Sequence, residues 1–149
     1  MITFKTLEIS DIDIITVMME DFYAIDNYPI EAQATKKMFQ EFISNENFGK
    51  AWLIYADNKI AGYVILTYIF SFEYGGKIAF VDELFIKESA RGKGIGKETI
   101  QFVQQESPKL SLKLLYLEVE NHNENAQKLY IAQDFVFHNR KLMKYKIAK

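Results

Sequence analysis

The sequence predicts a mixed α/β fold built as one domain spanning residues 1–149, in the order β-α-α-β-β-β-α-β-α-β-β. Three observations carry this. Apolar residues switch repeatedly between helical spacing and strand-like runs. Turn signals fall between those segments, while no repeat, low-complexity stretch or Pro- or Gly-rich linker divides the chain. The long run Lys77 to Lys87 (KIAFVDELFIK) is apolar on both faces, as a central strand covered on both sides would be, and a glycine-rich turn and a helical pattern follow it.

Each element has its own justification. Ile2 to Thr6 alternates, a first strand. Ser10-Asp11 offers an N-cap, with Asp13 in the first turn, and Ile14, Ile15, Val17, Met18, Phe22 and Ile25 follow at helical spacing. Asn27-Tyr28-Pro29 breaks that helix. A second spans Glu31 to Ser44, and Asn45 to Gly49 turns. Ala51 to Ala56 and Lys59 to Phe70 read as strands joined at Asp57-Asn58, with Gly62 marking a bulge or a close backbone approach. Gly75-Gly76 is a second hairpin signal before the central strand. Lys97 to Glu106 forms a helix stopped by Ser107-Pro108, Leu112 to Val119 a strand, and Glu124 to Gln133 a short helix. Phe135 to His138 and Lys141 to Ile147 have the pattern of a closing hairpin. Its edge is one with which a second copy could pair, so a homodimer is among the expectations.

Composition excludes several classes. There is no cysteine, hence no disulfide, no thiolate zinc site and no cysteine nucleophile. His122 and His138 lack companions that would suggest a metal site, so no metal is expected. The N-terminal stretch lacks the pattern of a signal peptide, and no apolar run is long enough to span a membrane, which points to a cytoplasmic protein. A net charge of −2 argues against nucleic acid as partner. Acidic residues predominate before Lys87 and basic ones after it, a division that suits a cationic acceptor and a phosphorylated co-substrate.

The turn Arg91-Gly92-Lys93-Gly94-Ile95-Gly96, with Lys97 behind it, has the chemistry of an anion site. Glycines let the backbone approach closely and take positive φ, the helix start aims unpaired N–H groups outward, and three cations add charge. A Walker loop would need Ser or Thr after Gly96-Lys97, where Glu98 stands. A Rossmann fingerprint would need different glycine spacing, early in the chain.

The turn resembles the Arg/Gln-x-x-Gly-x-Gly/Ala signature of GNAT N-acetyltransferases. Asp82-Glu83-Leu84-Phe85-Ile86 before it and Asn123-x-x-Ala126-x-x-x-Tyr130 after it match further family motifs in the same order. The resemblance covers nearly the whole chain and implies a mixed, mostly antiparallel central sheet flanked by helices. It departs at Ala90, where an aromatic residue is common, and at Asp134, where glycine usually stands.

The resemblance implies acetyl transfer from acetyl-coenzyme A as co-substrate to a primary amine, by direct attack in a ternary complex. Leu84, Phe85 and Ile86 would border the pantetheine arm, with backbone groups near Leu84 and Ile86 bonding its amides. Arg91, Gly92, Lys93, Gly94, Ile95, Gly96 and Lys97 would hold its pyrophosphate, and Asn123 and Ala126 would line it. A lysine-like amine is about one part in 10³ neutral at pH 7, so its proton needs an acceptor. Asp82 and Glu83 are the candidates, and simple alternation sends them to opposite faces, Asp82 with Phe80 and Leu84, Glu83 with Val81 and Phe85. Tyr130 would protonate the leaving thiolate. Tyr23, Tyr28, Phe72 and Tyr74, with Glu20, Asp21, Asp26, Glu31 and Glu73 nearby in sequence, suggest a pocket for a small cationic acceptor such as a polyamine. The competing readings are a non-catalytic acyl-coenzyme A sensor and an acetyltransferase with a protein or ribosomal acceptor.

Overall fold

Strand alternation and tight turns build the first part of the chain. In the computed structural model, which describes residues 1–148, β1 (Ile2–Thr6), β2 (Gly49–Ala56), β3 (Lys59–Ser71) and β4 (Gly76–Ile86) lie antiparallel side by side, and β5 (Leu115–Tyr116) joins β4 in parallel. Helices α1 (Ile12–Ala24) and α2 (Ala32–Ser44) follow β1, α3 (Ile95–Glu106) follows β4, and α4 (Glu124–Ala132) follows β5. The chain divides into two compact units, Met1–Glu118 and Val119 onward.

In the first unit, each face of the sheet has its own core. Ile12, Ile15, Met18, Met19 and Phe39 of α1 and α2 pack with Leu53, Tyr63, Ile65 and Phe85. On the opposite face Val103 packs with Trp52, Val64, Leu66 and Val81. Phe102 of α3 stacks on Phe4 at a centroid distance of 4.0 Å and meets Trp52 edge-on. Helix ends follow their side chains. Glu31 caps α2, its carboxylate accepting from the Gln33 and Ala34 N–H groups. Asp11 reaches back to the Glu8 N–H rather than capping forward, and the first turn there is a 3₁₀ turn.

The β2–β3 turn has Asp57 and Asn58 both at positive φ, as a two-residue hairpin of the primed type requires. A bulge at Ala61 adjoins Gly62, where an added Cβ would lie 2.0 Å from the Phe85 carbonyl oxygen. The predicted bulge and close approach therefore both occur.

Two strand expectations differ. The strand predicted over 112–119 is reduced to Leu115–Tyr116, because β5 meets β4 only at Ala79 and Phe80. The closing hairpin predicted over 135–147 is absent, no strand being assigned among the described residues after α4. Its apolar side chains, among them Val136, Met143, Tyr145 and Ile147, are exposed and find no covering face, without which an isolated hairpin is marginal.

In the second unit, α4 ends in a complete Schellman motif. The Phe135 N–H donates to the Tyr130 carbonyl, the Asp134 N–H to that of Ile131, and the Tyr130 and Phe135 rings pack 5.9 Å apart. Asp134 sits at φ 70°, the left-handed conformation that favours glycine. Asp134→Gly is therefore expected to stabilise the protein by up to about 1 kcal/mol, raising Tm by about 3 °C in thermal unfolding. A lower Tm would show that the Asp134 side chain offsets its own strain.

Candidate active site

β4 pairs with β3 through a break in register. Leu66 faces Val81 and Ile65 faces Glu83, so Asp82 is an extra residue, a β-bulge. This corrects the alternation expected for the strand. Val81 packs with Leu84 on the α3 side, whereas Glu83 joins Phe85 on the side of α1 and α2. Asp82 and Glu83 consequently line the same cavities instead of opposite faces.

The larger of these cavities, about 430 Å³, is walled by Phe22, Tyr23, Asp26, Tyr28, Asp82 and Glu83. Glu83 is fixed from two sides. The Tyr23 hydroxyl donates to Oε2 at 2.6 Å and the Tyr63 hydroxyl to Oε1 at 2.7 Å. Burial pushes the Glu83 carboxyl above the usual carboxylate range, and the two phenol donors oppose that shift. Burial and the neighbouring carboxylate raise both phenols. Asp82, at the more open wall, is raised by partial desolvation. Each Glu83 oxygen spends one acceptor site on a tyrosine and retains capacity for another donor. The arrangement can bind an ammonium group and accept its proton.

The outer edge of β4 is open beyond Phe80. The Lys87 N–H bonds the Ala61 carbonyl, so antiparallel alternation points the backbone groups of Phe85 at β3 and those of Leu84 and Ile86 outward. Only Ala79 and Phe80 pair with β5. The Arg91 Nε–H takes up the Ile86 carbonyl at 3.0 Å.

The glycine turn begins α3 two residues earlier than predicted, at Ile95. Gly92 and Gly94 take positive φ, 78° and 76°, while Gly96 is an ordinary helical residue. No side chain caps this end, so the N–H groups of the first helical turn point outward without a capping partner. An added Cβ at Gly92 or Gly94 meets nothing within 4 Å, so the space over the turn is open. Arg91, Lys93 and Lys97 are exposed around it. These features fit a pyrophosphate.

In the second unit, the Asn123 side chain accepts from the Ala126 N–H at 3.1 Å and caps α4. Ala126 and Tyr130, four residues apart, share one face of that helix. Burial raises the Tyr130 phenol above its ordinary value, keeping it protonated at neutral pH.

Of the residues singled out for an acceptor pocket, Tyr23, Tyr28 and Asp26 join Asp82 and Glu83. Glu31 is used as a helix cap, and Phe72 projects into solvent. Tyr74 meets Tyr116 across the end of the sheet instead. The residue that sequence reasoning missed is Tyr63. It is fully buried, and only its register opposite Phe85, two positions from Glu83, reveals that its hydroxyl has a carboxylate to meet. Among the described residues, no group of His, Asp and Glu could hold a metal ion, and no helix is long and apolar enough to cross a membrane.

Comparison with known proteins agrees with this geometry. The defining pattern of the acetyltransferase (GNAT) family matches residues 13–135. A D-amino-acid N-acetyltransferase of Saccharomyces cerevisiae is 32% identical over 54 residues, which are 36% of this chain and only 34% of the yeast protein. An uncharacterized N-acetyltransferase of Lactobacillus delbrueckii subsp. lactis is 23% identical over 145 residues, covering 87% of this chain and 82% of its own. An integron cassette protein from a salt-marsh metagenome superposes with a TM-score of 0.88 at 29% identity, over 98% of this chain and 91% of the other.

Proposed function

This chain belongs to the GNAT acetyltransferase family, and from that membership we propose that it transfers acetyl from acetyl-coenzyme A to a small cationic primary amine. The observation that carries the reading is Glu83, held by two tyrosine hydroxyls in a cavity with two further carboxylates, next to the open end of β4.

The proposed chemistry is a single displacement. The acceptor ammonium binds against Asp26, Asp82 and Glu83 and gives one proton to Glu83. Its nitrogen attacks the thioester carbon, a C–N bond forms and the C–S bond breaks. An outward N–H of Leu84 or Ile86 faces the developing oxyanion, a contribution typically worth about 10²–10³ in rate. The attacking nitrogen loses its second proton to solvent as the amide forms, Tyr130 gives its phenolic proton to the thiolate and recovers one from solvent, and Glu83 releases the proton it took. Amide and free coenzyme A leave. With no cysteine in the chain, no thiol is available to carry the acetyl group between two half-reactions. Tyr23 and Tyr63 position the base: each phenol holds one carboxylate oxygen.

The cofactor turn should govern affinity. Gly94→Val places a β-branched residue at φ 76° and puts bulk into the open space over the turn. The expected result is about tenfold or weaker binding of acetyl-coenzyme A by calorimetry, in a protein with unchanged circular dichroism. Unaltered affinity would remove the pyrophosphate assignment.

The activity itself is tested by following coenzyme A release with polyamines, amino sugars, amino acids and lysine peptides side by side. Release with a cationic amine and none with neutral or anionic analogues is expected. Binding of acetyl-coenzyme A without release for any acceptor would favour an acyl-coenzyme A sensor.

A further inference from the structure

A second cavity, about 180 Å³, lies on the other side of the same two carboxylates. Asp82 and Glu83 form part of its wall, and the remainder is largely apolar, with Met19, Met38, Phe39, Phe42 and Ile65. It is bordered by α1, α2, β3 and the two carboxylates of β4, whereas the larger cavity is walled by α1, β4 and the segment that follows α1. The carboxylates thus stand between a polar, tyrosine-lined space and an apolar one. A volume of about 150 Å³ is enough to hold a benzene ring. Met19 and Met38 are unbranched and polarizable, side chains that adapt their shape to a ligand.

We infer that this second cavity binds an apolar part of the acceptor, so that the substrate is a primary amine bearing an alkyl chain or a phenyl-sized group. The inference rests on the proposed amine acetylation and adds a specificity site to it. The ammonium is anchored at Asp82 and Glu83, and the apolar arm turns away from the larger cavity, under α2. The occupant must carry both features, because the ion anchor and the apolar wall are parts of one lining. A hydrophilic amine would leave the apolar space unfilled and gain nothing from it.

The test uses monoamines of equal charge and the full-length protein. With acetyl-coenzyme A saturating, kcat/KM is compared for propylamine, butylamine, hexylamine and phenethylamine. Burying each added methylene is worth up to about fourfold. The hexylamine to propylamine ratio should therefore reach tens, with phenethylamine ranking near hexylamine. Thr67, on the wall of the cavity, is replaced by Phe, and exposed Met38 by Trp, to fill it. In either variant the ratio should fall towards one. Two variants are used because Met38 lies on an exposed helix face, where folding is insensitive to bulk, whereas Thr67 lies within the sheet.

A flat series in the wild type, with every amine acetylated, overturns the apolar subsite and leaves the acetyltransferase reading standing. A rising series that both folded variants leave untouched also overturns it, by placing the selectivity elsewhere. If no amine in this set or in the cationic panel yields free coenzyme A, both readings fall.

Discussion

Replacing Glu83 with Gln is expected to lower kcat by about 10²–10⁴, the usual contribution of a positioned base, in a protein that remains folded. The amide keeps the shape of the carboxyl and can still engage Tyr23 and Tyr63, but it cannot take the acceptor's proton. Stability should respond in the opposite direction from activity. Burial holds the folded-state pKa of Glu83 above its unfolded value. The folded protein therefore binds that proton more tightly than the unfolded chain. The resulting stabilisation is fully present below the unfolded pKa and is lost as pH rises through the raised folded one. At pH 7–8 the Gln variant should melt no lower than wild type. The pH–rate profile supplies a second readout. If Glu83 is the base, wild-type activity falls on acidification at a pH above the ordinary carboxylate range, and the variant's residual rate loses that component. A variant with full kcat at saturating acceptor would sink the assignment of Glu83.

Tyr130→Phe is expected to produce a loss of similar size, about 10²–10⁴ in kcat, through the other proton. The substitution removes one hydroxyl and keeps the ring, so the contact with Phe135 at the end of α4 should survive. Binding of acetyl-coenzyme A should change little, because the hydroxyl matters chiefly as charge develops on sulfur. Single-turnover measurements under saturating acceptor isolate this step from product release. Full activity there would reassign Tyr130 to packing.

Local chemistry made most of the architecture legible from sequence. The Asp57-Asn58 turn, the Glu31 helix start and the glycine turn each depend on a few adjacent residues, and each formed at or within two residues of its expected place. Family motifs singled out Asp82, Glu83 and Tyr130. What could not be read depends on partners distant in sequence. The bulge at Asp82 exists only in the pairing of β4 with β3, so alternation within one strand assigned Val81 and Glu83 to a common face. Tyr63 carries no local mark, since its role arises from a carboxylate 20 residues away in the chain. The closing hairpin shows the converse: Met143, Tyr145 and Ile147 alternate as a strand would, but alternation describes a surface able to be covered and cannot supply the cover.

The extra residue at Asp82 also fixes the frame of the strand on either side of it. With it present, Ala79 and Val81 point to the same layer as Leu84 even though odd and even positions have exchanged parity. Deleting it would join Val81 directly to Glu83 opposite Leu66 and Ile65, a regular ladder in which Ala79 and Val81 stay on the side of Leu84. What the deletion would remove is the Asp82 carboxylate from the cavity wall beside Glu83. Strand β4 is thus a two-part message read in different phases. Substitutions within either half are absorbed one side chain at a time, but a change of length at any other position between Gly76 and Ile86 reverses every residue on one side of the change. Length, more than composition, is the property of this strand least free to vary.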